Sequence, residues 1–81
     1  MMLFSIKDSK SLSFGKPAPA VNMDVAIRDV KILVNDNQST LVSKFPEDFE
    51  LWQVGVFHED TGLIESKLEY ILNLGSLKES K

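Results

Sequence analysis

His58 stands directly before Glu59 and Asp60. That trio offers an imidazole and two carboxylates to a divalent cation, and it suits a solvated turn equally well. The chain has no cysteine and one histidine, so a zinc site built only from Cys and His is not available. Glu47, Asp48 and Glu50 gather a few residues earlier. Adjacent carboxylates diverge, so this group does not compose a general acid/base pair. Following Pro46, it more simply opens a turn. Gly15-Lys16 lacks the spaced glycine of a phosphate loop, and Pro17 forbids the helix such a loop needs. Several serines occur, none with a visible partner base. The expectation is a protein that is not an enzyme and holds no metal or cofactor.

Binding chemistry has more to work with. Phe14 lies between Lys10 and Lys16. Aromatic and basic side chains together stack on bases and neutralise phosphates of a single DNA strand. The plainer role for Phe14 is to plug the edge of a core. With Lys7, Arg28 and Lys31 these residues form the set a single-stranded DNA binder would use. Charge speaks against strong, sequence-independent DNA binding by a monomer. The net charge is −3 with a single arginine, whereas nucleic-acid binders cluster Lys and Arg. The charge is also uneven: residues 1–44 carry six cations against four acids, and residues 45–81 carry three cations against eight acids. A third set, Trp52, Leu68, Ile71 and Leu72, offers apolar surface for self-association into a homo-oligomer.

The elements that must position these groups centre on residues 44–64, which hold the only Trp and three of the five Phe. Residues 49–57 are dense in aromatic and β-branched types, which suit a strand. Trp52, Val54 and Val56 point to one side; Phe49, Leu51 and Phe57 point to the other. A strand apolar on both sides needs cover on both, from a helix, a second sheet or another subunit. Glu59-Asp60-Thr61-Gly62 reads as a turn in which Gly62 supplies a positive φ. The result is a β-hairpin of 49–58 with 62–65.

Upstream, Leu3 to Asp8 alternates as a half-buried strand. Residues 12–19, broken by Gly15, Pro17 and Pro19, read as a loop. Asn22 is a sound N-cap and Asp24 suits the first turn of a helix. Ala26, Ile27, Val30, Leu33 and Val34 then recur at helical period. Asp24 and Arg28 stand four apart on its wet side. Asn35-Asp36-Asn37 would close the helix through a left-handed cap. Val30 to Val34 also fits a buried strand; the cap and the eleven-residue period favour helix. Residues 37–40 read as polar loop, and Thr40 to Ser43 as a helical turn or an edge segment. Ile64, Leu68, Ile71 and Leu72 fit a second helix over 64–73, stopped by Gly75; the same segment would serve as a sticky tail.

The expected fold class is α+β: a small antiparallel sheet, from the N-terminal strand plus the β-hairpin, packed by one central helix, with a C-terminal helix or tail. Eighty-one residues make one domain, with residues 76–81 frayed. A lone core of this size is marginal. No apolar run reaches the 18 or more residues of a membrane span, so a cytosolic protein without membrane contact is expected. The absence of cysteine fits a reducing compartment.

Three segments carry a resemblance. Leu3-Phe4-Ser5-Ile6-Lys7-Asp8-Ser9-Lys10-Ser11, followed by Phe14 and Pro17, is one. Ala26-Ile27-Arg28 leading to Val34-Asn35-Asp36 is the second. Pro46-Glu47-Asp48-Phe49 through Leu51, Gly55 and Phe57 to Asp60-Thr61-Gly62 is the third and most specific. In this order and spacing the chain resembles the small nonstructural protein of gokushoviruses, single-stranded DNA microviruses whose hosts include Chlamydia and Bdellovibrio. The likeness covers residues 1–64; beyond Ile64 the chain departs from the pattern, and Ala18 and Ala20 stand where the family usually carries bulky aromatics. It implies a phage nonstructural protein of the host cytoplasm, absent from the virion, and no catalytic residues carry over. The function expected is a noncatalytic accessory role in viral genome replication or in the switch to single-stranded DNA packaging. The partners would be viral or host replication and packaging proteins. Direct single-stranded DNA binding and an oligomeric assembly module are the alternatives.

Overall fold

The structure, a computed structural model, describes residues 1–36 and 40–79. Five strands form one antiparallel sheet: β1 (Met2–Asp8), β2 (Ser13–Phe14), β3 (Ala18–Ala20), β4 (Phe49–Phe57) and β5 (Ile64–Asn73). Helices α1 (Met23–Val34) and α2 (Leu41–Lys44) lie between β3 and β4 in the chain. The strand order is β2-β1-β4-β5, and β3 pairs with the same strand, β1, further along. The class is α+β, as the sequence predicts.

Local chemistry accounts for the elements. Asn22 Oδ1 accepts from the Val25 N–H at 2.9 Å and starts α1. Ala26 and Val34 are buried, and Val25, Ile27 and Val30 pack on the same cluster. The helix ends at Asn35, whose backbone sits at φ −100°, ψ 10°, so Asn35 itself is not a left-handed cap, and Asn37 lies outside the described residues. The Asn35 side chain instead donates to Lys31 O and Leu77 O, each at 2.9 Å, and ties the helix end to the C-terminal segment. Asp24 and Arg28 are both exposed, but Arg28 approaches Asp29 at 3.6 Å. The predicted loop at 37–39 lies outside the described residues, as do positions 80 and 81 of the predicted tail. At the hairpin tip, Gly62 takes φ 76°, and its N–H donates to His58 O at 2.7 Å. Here the left-handed backbone does require glycine.

Two expectations are corrected. Residues 12–19 are not wholly loop: β2 and β3 form there, each bonded to β1 along one edge. Pro19 fits because β3 is an edge strand with no ladder donor needed on its outer side. The larger correction concerns residues 64–73, predicted as a helix, which form the ten-residue strand β5. Its pairing with β4 slips twice. Leu51 faces Leu72 and Trp52 faces Tyr70, so Ile71 is extra; Gln53 faces Glu69 and Gly55 faces Ser66, so Lys67 and Leu68 share Val54. Each slip is a β-bulge that breaks the two-residue alternation. The surviving spacing of Leu68, Ile71 and Leu72 imitates a helical period. An isolated ten-residue helix is marginal in water, whereas the strand pairs with β4 from Glu50 to Phe57.

The core lies on one side of the sheet. Phe4 and Leu51 from the strands meet Ala26 and Val34 of α1 and Leu74 from the 3-10 turn Leu74–Leu77. A cavity of about 300 Å³ remains there, walled by Phe4, Ala26, Val30 and Leu51, with Lys16 and Asp29 as its charged members.

Candidate binding face of the sheet

Alternation along the first half of β4 sends Leu51 and Gln53 into the interior and Trp52 to the opposite side; beyond Gln53 the pairing with β1 slips, Phe4 facing Gln53 and Leu3 facing Gly55, so a bulge at Val54 interrupts the alternation. Register then decides what flanks Trp52. Ser5 of β1 stands opposite it on one side and Tyr70 of β5 on the other. On β2, Phe14 pairs with Lys7, one alternate position along β1 from Ser5. The three rings fall into a row. Phe14 and Trp52 are 5.6 Å apart at an interplanar angle of 80°, and Trp52 and Tyr70 are 5.6 Å apart at 79°. Edge-to-face pairs of this kind set the positive rim of one ring against the negative face of the next.

Polar groups fix the row. Trp52 Nε1–H donates to Glu50 Oε1 at 3.0 Å. Lys7 Nζ lies 5.4 Å from the centroids of both Phe14 and Trp52, within cation–π range. Ser5, small and buried, donates to Gly15 O at 2.7 Å and anchors the turn that carries Phe14. Phe14 is 42% exposed and Tyr70 49%. The sequence predicts cover for both sides of β4; α1 covers one, and among the described residues the ring row lies on the other side from it. The row can stack on flat groups, pack against apolar ones and present one cation, with Glu50 beside it.

The six residues predicted for DNA contact do not converge. Lys7 and Phe14 sit together in the row. Lys10 is in the turn after β1, where its N–H donates to Asp8 Oδ1 at 2.9 Å. Lys16 walls the cavity on the helix side. Arg28 and Lys31 ride on α1, beside Asp29 at 3.6 Å and Glu79 at 3.9 Å. The self-association set divides as well. Ile71 and Leu72 pack against the core, Trp52 belongs to the ring row, and Leu68 is 65% exposed on β5. Tyr70 went unnamed at the sequence level because the bulges conceal that it faces Trp52.

The carboxylate groups act through other contacts. His58 Nε2 and Glu65 Oε1 lie 3.1 Å apart across the hairpin. Among the described residues no group of three or more His, Cys, Asp or Glu could hold a metal. Near Pro46 it is carbonyl oxygens rather than carboxylates that take the bonds: Asn73 Nδ2 donates to Glu47 O, and Ser9 donates through both N–H and Oγ–H to Asp48 O. Among the described residues no helix is long and apolar enough to cross a membrane.

Comparison with known proteins extends the likeness past Ile64, where the reading of the sequence ended it. Residues 1–77 match the family described as Phage ORF5 protein. Protein ORF5 of Chlamydia phage 1 is 31% identical over 81 aligned positions, which span 93% of this chain and 84% of that protein. No solved structure matches the chain.

Proposed function

The chain belongs to the phage ORF5 protein family, and from that premise we propose that it is a noncatalytic nonstructural accessory protein. It acts in viral genome replication, or in the switch from replication to packaging of single-stranded DNA, by binding viral or host replication and packaging proteins in the host cytoplasm. The observation that carries this reading is the row Phe14–Trp52–Tyr70, left open on a sheet whose other side is packed. Trp and Tyr are residue types that dominate protein contacts, and Lys7 beside Glu50 gives the row little net charge. The test is a phage carrying Phe14→Ala with Tyr70→Ala. A lower ratio of single-stranded to duplex genomes in infected cells, at unchanged levels of the protein, supports the role. An unchanged ratio in that phage and in one lacking the protein overturns it.

Direct contact with single-stranded DNA is the second reading, favoured by the cation lying over two rings of the row. Trp52 is the only tryptophan, so its fluorescence reports the face directly. Titration with oligonucleotides at two salt concentrations decides. With Lys7 alone on the face, log affinity falls with log salt at a slope of about −0.7, one phosphate's share. Absence of quenching at low salt removes this reading.

A further inference from the structure

We propose that β5 is a self-pairing edge through which two copies of this chain join their sheets, antiparallel, about a two-fold axis near Leu68. This goes beyond the accessory role and does not depend on it, since it uses the strand's backbone and charges rather than the identity of any partner.

β5 ends the sheet and pairs with β4 alone. Residues 64–70 are all exposed, Leu68 at the middle of them. Such an edge presents unpaired N–H and C=O groups to any extended chain, and natural edges are blunted by charges and bulges. β5 carries three charges. Glu65 is taken up by His58 at 3.1 Å. Lys67 and Glu69 have no ion-pair partner among the described residues. Against an arbitrary strand, these two charges lose water without gaining a counter-charge. Against a second copy they match, which is how one set of groups can exclude wrong partners and accept the right one.

The register follows from sheet geometry. A two-fold axis perpendicular to the sheet keeps opposite residues on the same side, so their numbers must differ by an even count. Centring on Lys67 sets Lys67 against itself and Glu65 against Glu69. Centring on Glu69 sets Glu69 against itself. Centring on Leu68 sets Leu68 against Leu68 and Lys67 against Glu69 twice, and the overlap runs on to Ile64 and Leu72, where the bulge at Ile71 breaks the even-count rule. Centring on Ser66 also matches charges, through Glu65 and Lys67, but overlaps less of the strand. The Leu68 register therefore combines charge matching with the longest overlap. Ladder bonds form on either side of the bulge at Lys67 and Leu68, which bends the strand there. Because the axis preserves the sides of the sheet, the two ring rows end up on one continuous surface, with Tyr70 of each copy nearest the join.

Sedimentation of the full chain tests this. At about 100 µM, a concentration that populates a weak dimer, the chain sediments at twice its 9.1 kDa. Lys67→Glu alone and Glu69→Lys alone each place like charges opposite and weaken the dimer by roughly tenfold. The double variant Lys67→Glu/Glu69→Lys restores it. Lys67 and Glu69 are both exposed, so the variants fold. A monomer at every concentration, single variants that dimerise like the parent, or a double variant that fails to recover would each overturn the proposal. An effect of Lys67→Glu without one from Glu69→Lys would shift the axis to Ser66 and sink the Leu68 register.

Discussion

Leu51 and Trp52 are neighbours in the chain and occupy opposite worlds. Leu51 is 1% exposed and packs with the α1 cluster; Trp52 is half-buried between Phe14 and Tyr70 on the side α1 does not cover. One strand thus divides its labour by parity. Leu51 and Gln53 hold the domain together, and Trp52 between them carries the surface offered to a partner. The division teaches that the apolar content of β4 is not all core, so stability and binding should be separable by single substitutions.

The sharpest break comes from the packed side. Leu51→Ala removes a fully buried side chain and costs about 2–5 kcal/mol, a large share of the stability of a domain this small. Chemical denaturation will show the midpoint falling or the folded baseline lost; an unchanged midpoint would mean that the two sides are assigned the wrong way round. Next is Gly55. A Cβ there would stand 2.7 Å from Glu65 O, a backbone atom that cannot step aside. Gly55→Ala is expected to cost about 1–3 kcal/mol through overpacking, read by the same melt. The open side responds differently. Tyr70→Ala forfeits one edge-to-face pair, about 1 kcal/mol, and changes Trp52 emission while circular dichroism stays that of the parent. A loss as large as that of Leu51→Ala would show that the ring row is core after all.

Much of this division was written in the residues. The N-cap at Asn22, the period of Ala26, Val30 and Val34, and the turn at Gly62 each depend on contacts a few residues apart, and each stands in the structure as the spacing implies. The separation of Leu51 from Trp52 was legible too, because strand parity is fixed by the pleat; the slip against β1 at Val54, which interrupts that parity, was not. What could not be read were facts held between segments. Bulges at Ile71 and at Lys67–Leu68 exist only relative to β4, so the sequence showed their irregular spacing as a helix. Tyr70 joined the ring row only once that register was known. The six DNA-contact candidates failed to gather for the same reason: spacing along a chain says nothing about which side of the sheet Lys16, Arg28 and Lys31 reach.

Gln53 tests the division from the packed side with the smallest effect. It is 1% exposed, and its Oε1 has no hydrogen-bond partner among the described residues. Its Nε2 reaches Gly55 O only at 3.4 Å, a weak bond. A buried acceptor without a donor costs roughly 1–3 kcal/mol of desolvation. Methionine has nearly the same length and no amide to satisfy, and it adapts to irregular space. Gln53→Met should therefore raise stability by up to about 1 kcal/mol, while Trp52 fluorescence and any ligand affinity stay unchanged. If the substitution destabilises instead, a polar group must reach Oε1, and the packed side would then hold more than hydrocarbon chemistry. If it stabilises but also alters Trp52, the two sides of β4 are coupled through the strand, and parity separates them less cleanly than their burial suggests.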